Sequence, residues 1–309
     1  MSVIVTVPAT TANLGPGFDC IGAALTMHNE FRFTRNADTK GLKISVTGAE
    51  SQRVDTSADN LVYQAFEKFY QYLGQKTPPV EIEIKLGVPL ARGLGSSATA
   101  IVGGLVGANQ LAGEALDLVE VMNLAIAMEG HPDNVVPALL GGCRLAATGL
   151  TNAWEICEIG WYPEIVPVVA IPDFELSTSA ARSVLPSDYS RADAIFNIAH
   201  LGLLLRGLET GRSNWLMAAL QDKIHQPYRQ ALIPGYEAVQ AAAVAAGAYG
   251  MVISGAGPTL LALAHSSQAV AVEEAMTLAW KNAGMTAKVR SLAIDTQGAT
   301  FQQLPDFSI

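Results

Sequence analysis

The chain of 309 residues is half hydrophobic and only 15% charged, a composition that is typical of a folded globular protein and argues against disorder. Its formal net charge of −9 argues against a nucleic-acid-binding protein, which needs surplus lysine and arginine to neutralise phosphates. The cysteines, Cys20, Cys143 and Cys157, are widely spaced and predict neither a disulfide framework nor a zinc site.

The amino-terminal segment lacks a basic stretch followed by a long apolar run, so we expect no secretory signal and a cytoplasmic protein. β-Branched residues within 3–7 predict a short strand, which we expect Pro8 to end. Alternating stretches around Phe31 and from Ile44 onward predict further strands.

Residues 61–69 carry apolar side chains at helical spacing, and Asp59 is expected to cap this helix. Residues 80–86 alternate between apolar and charged side chains, which predicts a strand with one solvated face. Residues 93–113 contain no charged side chain, and their length approaches the ~20 residues of a membrane span. Because this segment also contains two serines, Asn109 and several glycines, we interpret it as a buried helix of a soluble protein.

The rest of the chain predicts an irregular mixture of strands and helices. We predict helices near 117–128, 191–208, 214–221, 236–246 and 269–282, and strands near 166–171, 251–254, 260–264 and 287–293. A further element begins at residues 131–134 and ends at Gly141 and Gly142. This order favours an α+β fold over a doubly wound sheet. We divide the chain into two domains, residues 1–160 and 161–309, and expect them to pack firmly because no linker-like composition separates them.

The glycine-rich segment 89–99 lies between the strand of 80–86 and a helix that begins near Ser96. Glycine at positions 93 and 95 lets a ligand approach the main chain closely. The first turn of a helix has unpaired N–H groups and the positive end of the helix dipole, so the segment predicts a polyphosphate site. The hydroxyls of Ser96 and Ser97 suit phosphate oxygens or Mg²⁺. The alternative is an ordinary glycine-rich turn with serine as the helix cap.

Three segments, in the same order, resemble the GHMP small-molecule kinases, the family of galacto-, homoserine, mevalonate and phosphomevalonate kinases. They are Pro8–Asp19 (PATTANLGPGFD), Pro89–Thr99 (PLARGLGSSAT) and Ser254–Thr259 (SGAGPT). The resemblance implies ATP as the phosphoryl donor. It also implies a two-domain fold, with an amino-terminal part like ribosomal protein S5 domain 2 and a ferredoxin-like carboxyl-terminal part.

The first of these segments differs from the galactokinase variant, which ends in GEH, and resembles the branch of the family that phosphorylates homoserine. Residues 129–135, 176–186 and 225–235 resemble the same branch, so the resemblance covers nearly the whole chain. It implies phosphorylation of the side-chain hydroxyl of L-homoserine, a step of threonine biosynthesis, by a homodimer. From charge and composition we expect neither a membrane nor a nucleic-acid partner. Two alternatives remain open: another GHMP kinase that acts on a different alcohol, and a non-catalytic protein of this fold that binds a ligand.

Homoserine is a zwitterion, so its site needs cations for the carboxylate and an anion for the ammonium group. Arg182 and Arg229 lie where the family binds the carboxylate, and arginine offers two parallel donors to such a group. Asp19, with Asn13 beside it, supplies the charge that pairs with the ammonium group. Asp19 alone is also compatible with the end of a simple turn.

His131 and Asn134 are left for the remaining polar contacts with the substrate, and we expect Asn134 to orient the reactive hydroxyl. The resemblance implies that Thr178 and Arg182 act with Asn134 at the catalytic centre. The segment 131–134 could instead merely cap a helix. We find no convincing aspartate for the role of general base, and phosphoryl transfer needs little early deprotonation of the attacking alcohol.

The resemblance assigns the triphosphate to the glycine-rich loop and Mg²⁺ to Ser97 and Glu129, a hydroxyl and a carboxylate that are suitable hard ligands. Asn60 lies in a segment that resembles the one near the adenine. The residues predicted to contact the nucleotide from the loop are Pro89, Leu90, Ala91, Arg92, Gly93, Leu94, Gly95, Ser96, Ser97, Ala98 and Thr99.

Overall fold

Strands and helices fill most of the computed structural model, which describes residues 2–35, 41–151 and 153–305. The first half contains β1 (Ser2–Ala12), β2 (Ile21–Thr34), β3 (Leu42–Thr47), α1 (Leu61–Tyr72), β4 (Val80–Lys85), α2 (Ser96–Leu111), α3 (Leu118–Glu129), α4 (Pro132–Leu140), β5 (Cys143–Thr148) and β6 (Trp154–Ile159). The second half contains β7 (Ile165–Pro172), α5 (Thr178–Ser183), α6 (Arg191–Thr210), α7 (Ser213–Ala219), α8 (Gln226–Arg229), α9 (Tyr236–Ala245), β8 (Ala248–Ile253), β9 (Leu260–His265), α10 (Ala269–Asn282), β10 (Ala287–Ser291) and β11 (Thr300–Leu304).

The strands form two sheets. In the first sheet the order is β11-β1-β2-β4-β3, with β5 paired to the start of β2 and β6 paired to β5. In the second sheet the order is β10-β7-β9-β8, and all of these neighbours are antiparallel. The last strand, β11, pairs with β1 and so returns to the first sheet. The division of the chain at residue 160 stays a prediction.

The central strands of the second sheet, β7 and β9, are buried on both faces, as the apolar sequence of β7 indicates. Val169 and Ile171 pack in a cluster that includes residues of β1, β2, α6 and α7. Val168 and Ala170, which point the other way, pack in a cluster with residues of α9 and α10. Because side chains alternate across a strand, one apolar strand serves both layers. The cluster around Val169 and Ile171 contains residues from both halves of the chain and so accounts for the predicted firm packing between them.

Helix α2 confirms the interpretation of its segment as a buried helix, because 12 of its residues are buried. Gly103 and Gly107 let it lie against β2, since a Cβ atom at either position would come within 2.4 Å of the rings of Phe31 or Phe33. In the described parts of the chain no helix is both long and apolar enough to cross a bilayer.

Two expectations about the first half were wrong. Pro8 does not end β1, because the pairing with β2 continues to Ala12 after a change of register between Pro8 and Ala9. Such an irregularity accommodates a residue that has no N–H group to donate. Helix α1 is capped by Asn60, whose side chain accepts a hydrogen bond from the Val62 N–H at 2.9 Å.

Candidate active site

The glycine-rich loop in front of α2 is held by two distant parts of the chain. The Thr10 N–H in β1 donates to the Leu94 carbonyl at 3.1 Å. The Ser254 hydroxyl, in the turn between β8 and β9, donates to the Gly93 carbonyl at 2.7 Å. The Gly255 N–H in the same turn donates to the last carbonyl of β1, at 2.9 Å. The segments that carry the three family motifs are therefore in direct contact.

Gly93 and Gly95 are required by conformation and by space. Their φ angles are +74° and +67°, in the left-handed region that favours glycine. A Cβ atom on Gly95 would lie 2.0 Å from Thr10 Oγ1, and one on Gly93 would lie 2.3 Å from the Ser254 carbonyl oxygen. Gly95 is the N-cap of α2, and no side chain among the described residues caps this helix. The N–H groups of the first turn and the positive dipole end are thus left for an anion.

A narrow cleft of about 100 Å³ lies at the start of α2. It brings together every residue predicted to bind the amino acid or the metal or to act in catalysis. The lining consists of Asn13, Asp19, Ala91, Gly93, Gly95, Ser96, Ser97, Glu129, His131, Asp133, Asn134, Leu176, Thr178, Arg182, Arg229, Gly255, Ala256 and Gly257.

The remaining residues predicted to contact the nucleotide do not line this cleft. Arg92 donates to the carbonyls of Pro172 and Asp173, each at 3.0 Å, so its guanidinium points to the end of β7. The Asn60 side chain is engaged as the cap of α1. Also outside the cleft are Pro89, Leu90, Leu94, Ala98 and Thr99, the last three of them buried.

Ser97 and Glu129 form a hydroxyl–carboxylate pair beside the start of α2. Ser97 Oγ donates to Glu129 Oε2 at 2.8 Å. Burial raises the pKa of Glu129, and the hydrogen bond from Ser97 opposes this rise. No ion pair to Glu129 occurs among the described residues. Within residues 2–35, 41–151 and 153–305, no group of three or more histidines, cysteines and carboxylates could hold a metal by itself.

Asp19 and Arg182 form an ion pair across the cleft. Arg182 Nη1 and Nη2 donate to the two carboxylate oxygens of Asp19 at 3.0 and 2.9 Å. This contact raises the pKa of Arg182. The Asp19 N–H donates to Asn13 Oδ1 at 2.7 Å, and Asn13 Nδ2 donates to the Gly255 carbonyl at 3.0 Å. Asn13 and Asp19 have φ angles of +59° and +56°, which asparagine and aspartate tolerate better than most residues.

Arg229 is the most deeply buried cation of the cleft, with a relative exposure of 1%. It donates to the carbonyls of Ala181 at 3.0 Å and Gly255 at 3.2 Å. Burial lowers its pKa, and the positive charge of Arg182 acts in the same direction. Its guanidinium lies 5.1 Å from the centroid of the Phe18 ring, which precedes Asp19 in the chain. A buried guanidinium beside a second arginine is suited to bind a carboxylate.

The residues that begin α4 make contacts with one another and with β1. His131 Nδ1 lies 2.8 Å from Asp133 Oδ1, a contact that raises the pKa of the His131 imidazole. Asn134 Oδ1 accepts from Thr10 Oγ1 at 2.7 Å, and Asn134 Nδ2 donates to Asp133 Oδ1 at 3.3 Å. His131 is the N-cap residue of α4 but makes no side-chain capping bond. Its side chain lines the cleft and contacts Asp133 in the first turn of the helix, but it does not cap the backbone.

Sequence reasoning missed several residues of this neighbourhood. Asp133 is buried in the cleft wall, Thr10 orients Asn134, and Phe18 packs beneath both arginines. His225, to which we assigned no role from the sequence, is buried, and its Nδ1 atom lies 3.4 Å from Arg229 Nη1. The sequence did carry a signal for His225: it lies four positions before Arg229, and residues at that spacing share one face of a helix.

An anion-binding helix start, a hydroxyl–carboxylate pair and a charged pocket for a small polar molecule together define a small-molecule phosphotransferase. The family model of the GHMP kinase N-terminal domain matches residues 60–142, and that of the GHMP kinase C-terminal domain matches residues 204–282. The homoserine kinase of Trichormus variabilis is 73% identical to the chain, covering 97% of it and 98% of the relative. That of Nostoc punctiforme is 72% identical, over 96% and 97% of the two chains.

Among solved structures, the crystal structure of homoserine kinase from Cytophaga hutchinsonii is 30% identical and superposes with a TM-score of 0.88, covering 97% of each chain. The chain belongs to the GHMP kinase family and, within it, to the homoserine kinases. The predicted family and its two-domain α+β fold are confirmed. With the family comes ATP-dependent kinase activity.

Proposed function

We infer that this chain transfers the γ-phosphoryl group of ATP to the side-chain hydroxyl of L-homoserine, which yields O-phospho-L-homoserine, a step of threonine biosynthesis. The observation that carries this proposal is one cleft that joins an anion-binding helix start to separate positive and negative groups for an amino acid. The names of the similar curated proteins support the same acceptor.

The triphosphate of ATP is assigned to the start of α2. Gly93, Gly95, Ser96 and Ser97 line the cleft there, and the hydrogen bonds to β1 and to the 254–259 turn fix the loop. Preorganised N–H groups stabilise negative charge without having to reorient during the reaction. Because phosphoryl transfer depends mainly on positioning and charge stabilisation, a rigid loop of this kind suits it.

The residues at the phosphate end of the cleft fit a magnesium ion, and Ser97 and Glu129 would hold it. The half-buried Glu129 carboxylate has a hydroxyl beside it and, among the described residues, no ion pair within 4 Å, although the charge of His131 acts to lower its pKa. Next to a triphosphate this carboxylate would be repelled unless a cation lay between them. Mg²⁺ commonly takes one or two protein ligands and fills its other positions with phosphate oxygens and water. When bound, it neutralises charge on the transferred group.

The amino-acid end of the cleft favours a zwitterion. The carboxylate of homoserine can pair with Arg182 and Arg229 while its ammonium group pairs with Asp19. Binding therefore replaces the ion pair between Asp19 and Arg182 by ion pairs of each group with the substrate. A ligand that has only a carboxylate would take Arg182 and leave Asp19 without a partner, which is costly for a partly buried charge. The selectivity we propose therefore rests on both charges of the substrate.

The reactive hydroxyl is assigned to Asn134, with Thr178 and His131 beside it. The Asn134 amide nitrogen carries two N–H groups, one of which goes to Asp133. The raised pKa of His131 favours its protonated form, which is a poor general base. No aspartate is assigned as a general base, and a loose, metaphosphate-like transition state needs little early deprotonation of the hydroxyl.

We further propose that the enzyme acts in the cytoplasm and as a homodimer, the setting and oligomeric state that the family resemblance implies. Size-exclusion chromatography with light scattering tests the second point. A mass of one chain over a wide range of protein concentrations would exclude the dimer.

Measurement of ADP release tests the acceptor. With Mg²⁺ and ATP, we expect release with L-homoserine that far exceeds release with L-serine, L-threonine, mevalonate or galactose, and mass spectrometry should find O-phosphohomoserine. Preference for mevalonate or a sugar would contradict the Asp19, Arg182 and Arg229 assignment. A nucleotide titration without affinity for ATP and Mg²⁺ would refute kinase activity altogether.

A further inference from the structure

The ring of His225 lies between the two parts of the amino-acid pocket and has a relative exposure of 0%. Its Nε2 atom is 2.9 Å from the carbonyl oxygen of Gly15, in the loop between Asn13 and Asp19. Its Nδ1 atom is 3.4 Å from Arg229 Nη1, a long hydrogen bond. The Phe18 ring stacks on the imidazole, with 5.2 Å between the ring centroids. The imidazole thus joins the loop that carries the anion of the pocket to the helix that carries its buried cation.

The neighbours of the imidazole determine where its proton lies. The Gly15 carbonyl can only accept, so Nε2 carries the proton, and the guanidinium of Arg229 can only donate, so Nδ1 is bare. A neutral ring satisfies both contacts. Burial lowers the pKa of His225, and the charge of Arg229 acts in the same direction.

Asp222 is the acidic group that faces this ring, with its carboxylate 3.6 Å from His225 Nε2, and it acts to raise the pKa. Its oxygens are engaged elsewhere, however. They accept from the Asn197 side chain and from the backbone N–H groups of Ile224, His225 and Gln226, at distances of 2.7 to 3.0 Å. Asp222 therefore fixes the turn before α8 and leaves the imidazole neutral.

We propose that neutral His225 is a positioning residue, which orients the Arg229 guanidinium toward the substrate carboxylate and holds the 13–19 loop in register with it. This inference rests on the proposed function, because it takes Arg229 as a ligand of the substrate carboxylate. Arg229 has two further fixed contacts, to the carbonyls of Ala181 and Gly255. The contact with Nδ1 is the third, and together the three set the plane of the guanidinium.

Three substitutions separate the two contacts of the ring. His225→Leu fills similar space without either contact. His225→Asn keeps an acceptor near the position of Nδ1, whereas His225→Gln keeps a donor near that of Nε2 and has no acceptor for Arg229. We expect His225→Leu to raise the KM for homoserine by about tenfold, the size of effect that loss of a hydrogen bond to a charged group produces. The KM for ATP should stay within about twofold, and His225→Asn should recover most of the loss.

A double-mutant cycle with Arg229→Leu tests whether His225 acts through Arg229. Once Arg229 is removed, His225→Leu should change the KM for homoserine by less than about twofold, because the group that it positions is absent. The inference is overturned if the effects of the two substitutions on the KM for homoserine multiply in the double variant. It is also overturned if His225→Leu leaves that KM unchanged, or raises the KM for homoserine and the KM for ATP equally. If His225→Leu does not fold, His225→Gln replaces it in the cycle. Absence of homoserine turnover in the wild-type enzyme would instead refute the proposed function, and this inference with it.

Discussion

Asp19→Asn is the most informative single substitution in the pocket. It removes the negative charge that we assign to the substrate ammonium group but preserves the size of the side chain. Asparagine also tolerates the φ angle of +56° at this position, so the turn should keep its shape. An alanine at position 19 would mix loss of charge with backbone strain.

The expected magnitudes differ between folding and binding. The Arg182 and Asp19 side chains are 39% and 33% exposed, and exposed ion pairs stabilise proteins by only about 0–1 kcal/mol. We therefore expect the free energy of unfolding to fall by less than about 1 kcal/mol. Loss of the partner of a desolvated ammonium group costs about 2–4 kcal/mol, which corresponds to a rise in the KM for homoserine of roughly 30- to 1,000-fold.

The assay is ADP release at varied homoserine and at varied ATP, together with thermal unfolding. Asp188→Asn is the matched control, because Asp188 is an exposed carboxylate outside the cleft. The control should leave both KM values unchanged. Our reasoning is refuted if Asp19→Asn leaves the KM for homoserine within about threefold of the wild-type value, or raises the KM for ATP equally.

Three further predictions concern other groups. Ser97→Ala should lower turnover by roughly 10²-fold and weaken the dependence of turnover on Mg²⁺ concentration, which a titration with Mg²⁺ measures. Near-normal turnover would show that Ser97 does not belong to the site. A thiol reagent at pH 8 should label the exposed Cys157 first, because burial raises the pKa of Cys20 to about 11 and that of Cys143 to about 12. Mass spectrometry of the labelled peptides checks this order. Burial lowers the pKa of His225 in the folded state, so below the unfolded pKa near 6.5 the unfolded chain binds a proton that the folded protein does not, and stability falls as the pH falls. His225→Leu should therefore flatten the fall of the melting temperature between pH 7 and 5. An equal slope in both proteins would contradict a buried neutral ring.

The residues predicted for the amino acid, the metal and catalysis all line one cleft, because the motifs carry much of their local geometry, whereas the roles of these residues stay predictions. Glycine at 93 and 95 allows the positive φ angles of the loop, and the uncharged small residues that follow indicate a helix that packs closely against its neighbours. The cap of α1 was misassigned by one residue, since Asp59 and Asn60 are both good caps and only tertiary burial separates them. Local patterns of this kind identify an element more reliably than its boundary.

Long-range contacts were beyond the sequence. Asp19 and Arg182 lie 163 positions apart, and nothing in either segment indicates that they pair with each other. His225 has no local pattern except its spacing from Arg229, and the bond to Gly15 spans 210 positions. The pairing of β11 with β1 depends likewise on the closure of the whole first sheet. The contacts of Asp19 and His225 set the electrostatics of the pocket, so the sequence supported roles for single residues but not their mutual arrangement.

Arg92 explains how the loop keeps its place between the two sheets. An arginine in a phosphate loop suggests a phosphate ligand, but this guanidinium binds the carbonyls that end β7 and lies 3.7 Å from Glu50. Glu50 in turn accepts from the Leu90 N–H at 2.7 Å. The loop is thereby tied to the second sheet, the layer that leads through β7 to Arg182. Because phosphoryl transfer depends on alignment, we expect Arg92 to serve catalysis by fixing the distance between the phosphate loop and the acceptor pocket.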